Sequence, residues 1–189
     1  MTDRPRIYLN NAATSWPKPD ALIDAMADFL RAPGGNPGRG EGRGHGGGAH
    51  TASHTVENVR QRIATRIGAD DHRRIIFTSG ATEAINLAVH GTIDRALREG
   101  RRPVKIVASP LEHNSMVRPL HARAARGDAE IVRATVDTQG RTDPDDLMRK
   151  VDDRTELIAV TGAANATGVI QPIEEIGTRL REAGSRALL

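Results

Sequence analysis

The stretch RIIFTSGATEAIN, Arg74 to Asn86, sets the frame for the whole chain. Three apolar residues in a row read as a strand. Small and hydroxylated residues follow at Thr78-Ser79-Gly80, and a helical pattern begins at once and runs from about Thr82 to Arg98, ending at Gly100. The same order then repeats downstream. VKIVAS (104–109) reads as a strand, and Met116 to Ala125 as a helix despite Pro119. AEIVRATV (129–136) is a strand, DTQGRTD (137–143) an ordinary turn, and Pro144 to Val151 a short helix. TELIAVTG (155–162) is a further strand, PIEEIGTRLREAG a helix closed by Gly184, and RALL the start of another strand. Strands alternating with helices predict an α/β fold with a mostly parallel sheet and helices on both faces. Its expected core holds Ile75, Ile76, Val104, Ile106, Ile131, Ile158 and Val160.

Upstream, Leu22, Met26, Phe29 and Leu30 share one helical face behind Pro19 and Asp20. APGGNPGRGEGRGHGGG breaks all periodicity and reads as a loop. A second helix carries Ala52, Val56, Val59, Ile63 and Ile67, with Gly68 placed to end it.

Composition narrows the function classes. The 189 residues suffice for one domain with a real core. Apolar residues at 38% and charged residues at 27% read as soluble and globular. No apolar stretch approaches the roughly 20 residues of a membrane span, and MTDRPRIYLNN lacks a signal-peptide core, so a cytoplasmic location is expected. The absence of cysteine excludes disulfides, thiolate metal sites and a cysteine nucleophile within this chain. The sequence pI of about 9.9 reflects arginine, since the formal net charge is only +3. Basic residues are interleaved with acidic ones, and one Trp, one Tyr and two Phe leave little to stack on bases. Nucleic-acid binding is therefore not expected.

In open parallel sheets, ligands sit outside the carboxyl ends of the strands. Three such ends carry loops with chemistry. TSGATEAIN exposes backbone N–H groups and hydroxyls at a helix start, which serves either as an ordinary N-cap assisted by Glu83 or as a phosphate cradle. SPLEHNS offers His113, an acid, base or ring-stacking group, or else a plain surface residue. TGAANATG places Asn165 either over the strand tips or in a turn. Gly42, Gly44 and Gly47 match a dinucleotide fingerprint formally, but no strand precedes them. His50 and His54 sit four apart on an expected helix with His45 nearby, a spacing that could suit a metal, but chance histidines on a surface helix are the preferred reading and no metal is expected.

YLNNAATSWPKP, NPGRG, FTSGATEAINLAV, LEHNSMVRP and NATGVIQPIEEI occur in the order and spacing of cysteine desulfurases. The chain resembles the N-terminal part of these class V aminotransferase-group enzymes, which depend on pyridoxal 5′-phosphate. The resemblance implies that Ala81 and Thr82 bind the cofactor phosphate. It implies that His113 stacks on the pyridine ring and assists proton transfer, and that Asn165 bonds the phenolic oxygen. It also implies a small amino-acid substrate, cysteine, converted to alanine with release of transferable sulfur, in a homodimer. The chain departs from the pattern in a longer glycine-rich loop and in Gly162, where many relatives carry histidine. The Asp-x-x-Gln and Ser-x-His-Lys segments of the family are absent, and with them the Schiff-base lysine. Lys18, Lys105 and Lys150 stand in other contexts. The expectation is thus an N-terminal arm (1–20) and an incomplete large domain (21–189), from a truncated gene product or a partial sequence, inactive alone and able to pair with a complementing C-terminal chain. Other class V readings (selenocysteine lyase, kynureninase-like enzyme, aminotransferase) and a non-catalytic remnant or partner-binding module remain open alternatives.

Overall fold

The computed structural model of the chain describes residues 7–31 and 48–189. The glycine-rich loop, its Gly42, Gly44 and Gly47, and His45 lie outside the described residues, as does the His50 side chain. The chain divides into a unit ending at Phe77 and a unit from Thr78 to Leu189.

In the first unit, α1 spans Asp20–Arg31 and α2 spans Gly48–Ile67. Ala52 and Ala64 of α2 are buried. A short 3₁₀ turn, His72–Arg74, follows, with Asp71 capping it by accepting from Arg73 N–H. His72 Nε2 reaches Glu57 of α2 at 2.6 Å, and the Arg60 guanidinium lies 5.3 Å from the centre of the Phe77 ring. RIIF therefore runs back along α2 as irregular chain, not as the expected strand. Ile75 is only half-buried and Ile76 is exposed, so neither joins the core. The physical reason is pairing. A strand exists only where its N–H and C=O groups find a ladder, and no described strand pairs with this run.

The second unit holds the sheet. Its strands are β1 (Val104–Ala108), β2 (Ala129–Arg133) and β3 (Thr155–Ala159), in the order β2-β1-β3 and all parallel. Ile106 pairs with Ile131 on one side and with Leu157 on the other. Leu188 adds to the outer edge of β3, where Ile158 N–H donates to Leu188 O at 2.7 Å and Leu188 N–H to Glu156 O at 3.1 Å. β1 and β3 are buried along their full length, which is why VKIVA and TELIA read as apolar runs instead of alternating.

Helices cover both faces. Val104, Ile106, Ala108, Leu157 and Ala159 meet α3 (Ala81–Arg98) and α4 (Asn114–Ala125) through Val89, Ile93, Ala96 and Leu120. Val107 and Ile158 meet α5 (Pro144–Lys150) and α6 (Ile173–Glu182) through Leu147, Ile176 and Leu180. Ile131 and Val160 pack against this core while only partly buried.

Local chemistry sets the boundaries. Asp143 caps α5, its carboxylate accepting from Asp145 N–H at 2.8 Å, and Pro144 fits the first turn because its missing N–H is not needed there. Asp146 accepts from Thr135 N–H at 2.7 Å and from Lys150 Nζ at 2.5 Å. The bond from Lys150, helped by that from Thr135, lowers its pKa from the ordinary 3.8 to about 2. A depressed folded-state pKa gives stability that is fully present above the ordinary value and is lost as pH falls through the folded one. Stability should thus decline between pH values near 4 and near 2, and Asp146→Asn should flatten that decline. Urea melts of both proteins across this range test it; parallel curves would refute the assignment.

Candidate functional site

The carboxyl ends of β1 and β3 and the N-terminus of α3 all belong to the second unit, and they carry the residues singled out from the sequence. At the start of α3, Gly80 is extended and makes no side-chain cap. The first intrahelical bond runs from Ala84 N–H to Gly80 O at 3.1 Å. Among the described residues, the N–H groups of Ala81 and Thr82 donate to no protein acceptor. Glu83 reaches back, its carboxylate accepting from Ser79 N–H and Ser79 Oγ, both at 2.7 Å. These bonds, that from the Ser79 hydroxyl foremost, hold its pKa below the usual carboxylate value. Thr78 Oγ1 donates to Gly80 O at 3.0 Å. The loop is thus braced by its own side chains while the helix end stays open. Glu83 thus helps the turn, as the N-cap reading expects, and the leading N–H groups are left without a protein acceptor among the described residues.

An open groove of about 500 Å³ joins this helix end to the second loop. Thr82, Asn86 and His90 line it from α3, and His113, Ser115 and Arg118 from the start of α4. His113 is the N-cap of α4: its Nδ1 accepts from Ser115 N–H at 3.1 Å and lies 2.8 Å from Ser115 Oγ. A ring nitrogen that accepts a backbone N–H carries no proton in the neutral ring, so the proton sits on Nε2. The ring itself is exposed. Arg118 lies within the LEHNSMVRP stretch, yet inside a helical run it reads as one more surface cation.

Asn165 occupies a separate place. It is exposed at the tip of a tight turn in which Gly168 N–H donates to Ala164 O at 2.7 Å and Ala164 N–H to Val169 O at 2.9 Å. It does not line the groove shared by Thr82 and His113. Glu112 ties the two loops together, its Oε1 accepting from Thr161 N–H at 2.6 Å. Burial raises the pKa of Glu112, and the Thr161 bond opposes that shift.

The three lysines are engaged elsewhere. Lys18 bonds Thr14 and, at 2.7 Å, Ser15 O. Lys105 is buried and bonds Asp152 at 2.8 Å. Lys150 bonds Arg133 O at 2.8 Å as well as Asp146. None lines the groove.

Residues 7–189 match the family model for class V aminotransferases. The chain belongs to the class V aminotransferase family. This class V chain is 36% identical over 176 residues to the cysteine desulfurase IscS of Dictyoglomus turgidum, a match covering 93% of this chain and 42% of that one. Among solved structures it is similar to a NifS-like protein, with a TM-score of 0.81 and 28% identity over 97% of this chain and 48% of that one. It is also similar to SspA in complex with cysteine, with a TM-score of 0.79 and 25% identity over 94% and 48%. The chain thus spans a little under half the length of these relatives. The expected α/β architecture, with a parallel sheet between helices, is the one found. No helix among the described residues is long and apolar enough to cross a membrane.

Proposed function

We propose that this chain is the cofactor-cradling part of a pyridoxal-phosphate-dependent cysteine desulfurase, acting on cysteine to leave alanine and a transferable sulfur. The observation that carries the reading is the open N-terminus of α3 sharing one groove with His113, in a chain whose relatives are cysteine desulfurases. The residues present fit the group. Two unpartnered N–H groups and the Thr82 hydroxyl suit a phosphate, and Arg118 adds a positive charge to the same groove. The flat, exposed imidazole of His113 suits a ring face.

In this assignment Ala81 and Thr82 would hold the phosphate, His113 would face the pyridine ring, and Asn165, from its separate turn, would donate to the phenolic oxygen. When bound, the cofactor supplies an electron sink for charge developing at the substrate α-carbon. His113 Nε2–H is the proton donor on the exposed side of the ring, because Nδ1 is held by Ser115. The small amino acid with which SspA was solved is the substrate class proposed here. A cytoplasmic homodimer, or pairing with a chain that carries the other half of the family fold, completes the proposal. With its lysines engaged elsewhere, this chain alone binds the cofactor reversibly and does not turn over.

Absorbance titration with pyridoxal phosphate should show weak, saturable binding. Thr82→Ala should weaken it about tenfold or more, the usual cost of losing a hydrogen bond to a charged group. Borohydride treatment followed by peptide mapping should find no stoichiometric label. Labelling at Lys18, Lys105 or Lys150, or sulfide release from cysteine by this chain alone, would overturn the assignment.

A further inference from the structure

The turn DTQGRTD, at the carboxyl side of β2, has no role in the reading above, yet it is held by a densely bonded group of buried side chains. We propose that Gln171 is a positioning residue: its buried amide clamps this turn against the roots of the loops that carry His113 and Asn165, and so fixes the proposed cofactor site.

Gln171 is only 4% exposed. Its Oε1 accepts from Thr142 N–H at 2.8 Å and its Nε2 donates to Gly140 O at 2.8 Å. Its own backbone N–H donates to Gly162 O at 3.0 Å, three residues before Asn165. The opposite arm starts at Thr142, whose Oγ1 donates to Ser109 Oγ at 3.2 Å. Ser109 Oγ in turn accepts from Leu111 N–H at 3.2 Å, two residues before His113. Thr142 and Ser109 are both buried. Packing closes the same contact: Gly140 has φ +85°, and a Cβ there would lie 3.1 Å from Leu111 Cδ1.

An amide suits this place because one flat group must both accept from and donate to the same turn. A carboxylate could only accept, and a hydrocarbon could do neither. A buried polar group with both bonds made is rigid, whereas one left unpaired is costly, so the clamp has one well-defined state. Glu112 on Thr161 N–H is a second, independent tie between the same two loops. The charged groups facing the Gln171 site from its surroundings are Arg141 on the turn and Glu174, Glu175 and Arg179 on α6.

The consequence for the cofactor rests on the proposed function; the clamp itself does not. The test therefore has two arms, both on the full chain. In the first, amide exchange and chemical shifts are followed by NMR without cofactor. Gln171→Leu should speed exchange at Thr142 and Leu111 about tenfold or more and shift the His113 and Asn165 signals, while Ile106 and Ile158 in the strands stay near wild type. Thr142→Val keeps the backbone bond and removes only the hydroxyl link, so its effects should be confined to Leu111 and His113. Gln171→Glu keeps an acceptor for Thr142 N–H but at neutral pH loses the bond to Gly140 O, so it should show part of the Gln171→Leu effect and return toward wild type on acidification, since a protonated carboxyl both donates and accepts. That recovery distinguishes a specific clamp from loss of packing. Unchanged Leu111 and His113 signals in Gln171→Leu, no acid recovery in Gln171→Glu, or equal loss of protection in the strands would overturn the proposal.

In the second arm, pyridoxal phosphate is titrated. Gln171→Leu should weaken binding about tenfold with the phosphate residues Ala81 and Thr82 intact. Unchanged affinity would remove the positioning role. Absence of binding to the wild-type chain would instead refute the cofactor reading and leave the clamp to be decided by the first arm.

Discussion

Replacing Ile106 by alanine should destabilise the unit from Thr78 to Leu189 by about 2–5 kcal/mol, the range for truncating a buried isoleucine. Ile106 is fully buried in the central strand and is paired on both sides, with Ile131 and Leu157. Its side chain faces the cluster built by Val89, Ile93 and Ala96 of α3, so a cavity there cannot be refilled from solvent or from a loop. Domains are stable by only about 5–15 kcal/mol, so this one change removes a large share of the total. Ile76→Ala is the matched control: Ile76 is 63% exposed, and the change should stay within about 0.5 kcal/mol. Denaturant melts read by circular dichroism check both. Equal losses would mean that Ile76 belongs to the core after all.

That pair of isoleucines also marks how far the sequence could be read. VKIVA, TELIA and RIIF carry the same kind of signal, an apolar run followed by a turn and a helix. The first two are strands because each has a neighbour to complete its ladder. Propensity is written in a segment, but the partner is not, and strand order was never legible. The helices were easier because their signals are local: Pro144 behind Asp143, Gly100 and Gly184 past helix ends, apolar residues at helical spacing. At the candidate site, Ala81 and Thr82 stood out as a helix start behind an apolar run and His113 as a loop residue past β1, and the structure brings Thr82 and His113 to one groove. Ser109, Thr142 and Gln171 were hidden for the opposite reason. A polar residue at a strand end reads as a turn, and only the fold reveals that three such residues, from three separate segments, are buried against one another.

Glu156→Ala should cost about 3–5 kcal/mol, as does breaking other buried ion pairs, toward the lower end because two of the three arginines reach water. Glu156 is 1% exposed on β3, and Arg95, Arg101 and Arg186 converge on it. Arg101 Nε and an Arg186 guanidinium nitrogen lie 2.7 and 2.9 Å from Oε1, but neither is angled as a good hydrogen bond, so attraction between charges dominates there. Arg101 makes its hydrogen bond to Oε2, at 3.2 Å. Removing the carboxylate leaves Arg101 and its neighbours facing one another with nothing between them but Glu99, which pairs with Arg101 alone. The same residue anchors the sheet edge, since Glu156 O accepts from Leu188 N–H and Arg186 sits two residues earlier. The loss should therefore appear first as faster amide exchange at Leu188, ahead of global unfolding. Glu156→Gln keeps the shape and an acceptor oxygen, so it should cost less. Because no residue of this cluster lines the groove of Thr82 and His113, the folded fraction of either variant should keep wild-type affinity for pyridoxal phosphate. Gln171→Leu should do the reverse, weakening the cofactor while sparing the strands. A Glu156 variant that lost cofactor affinity while still folded would show that the two ends of the sheet are coupled.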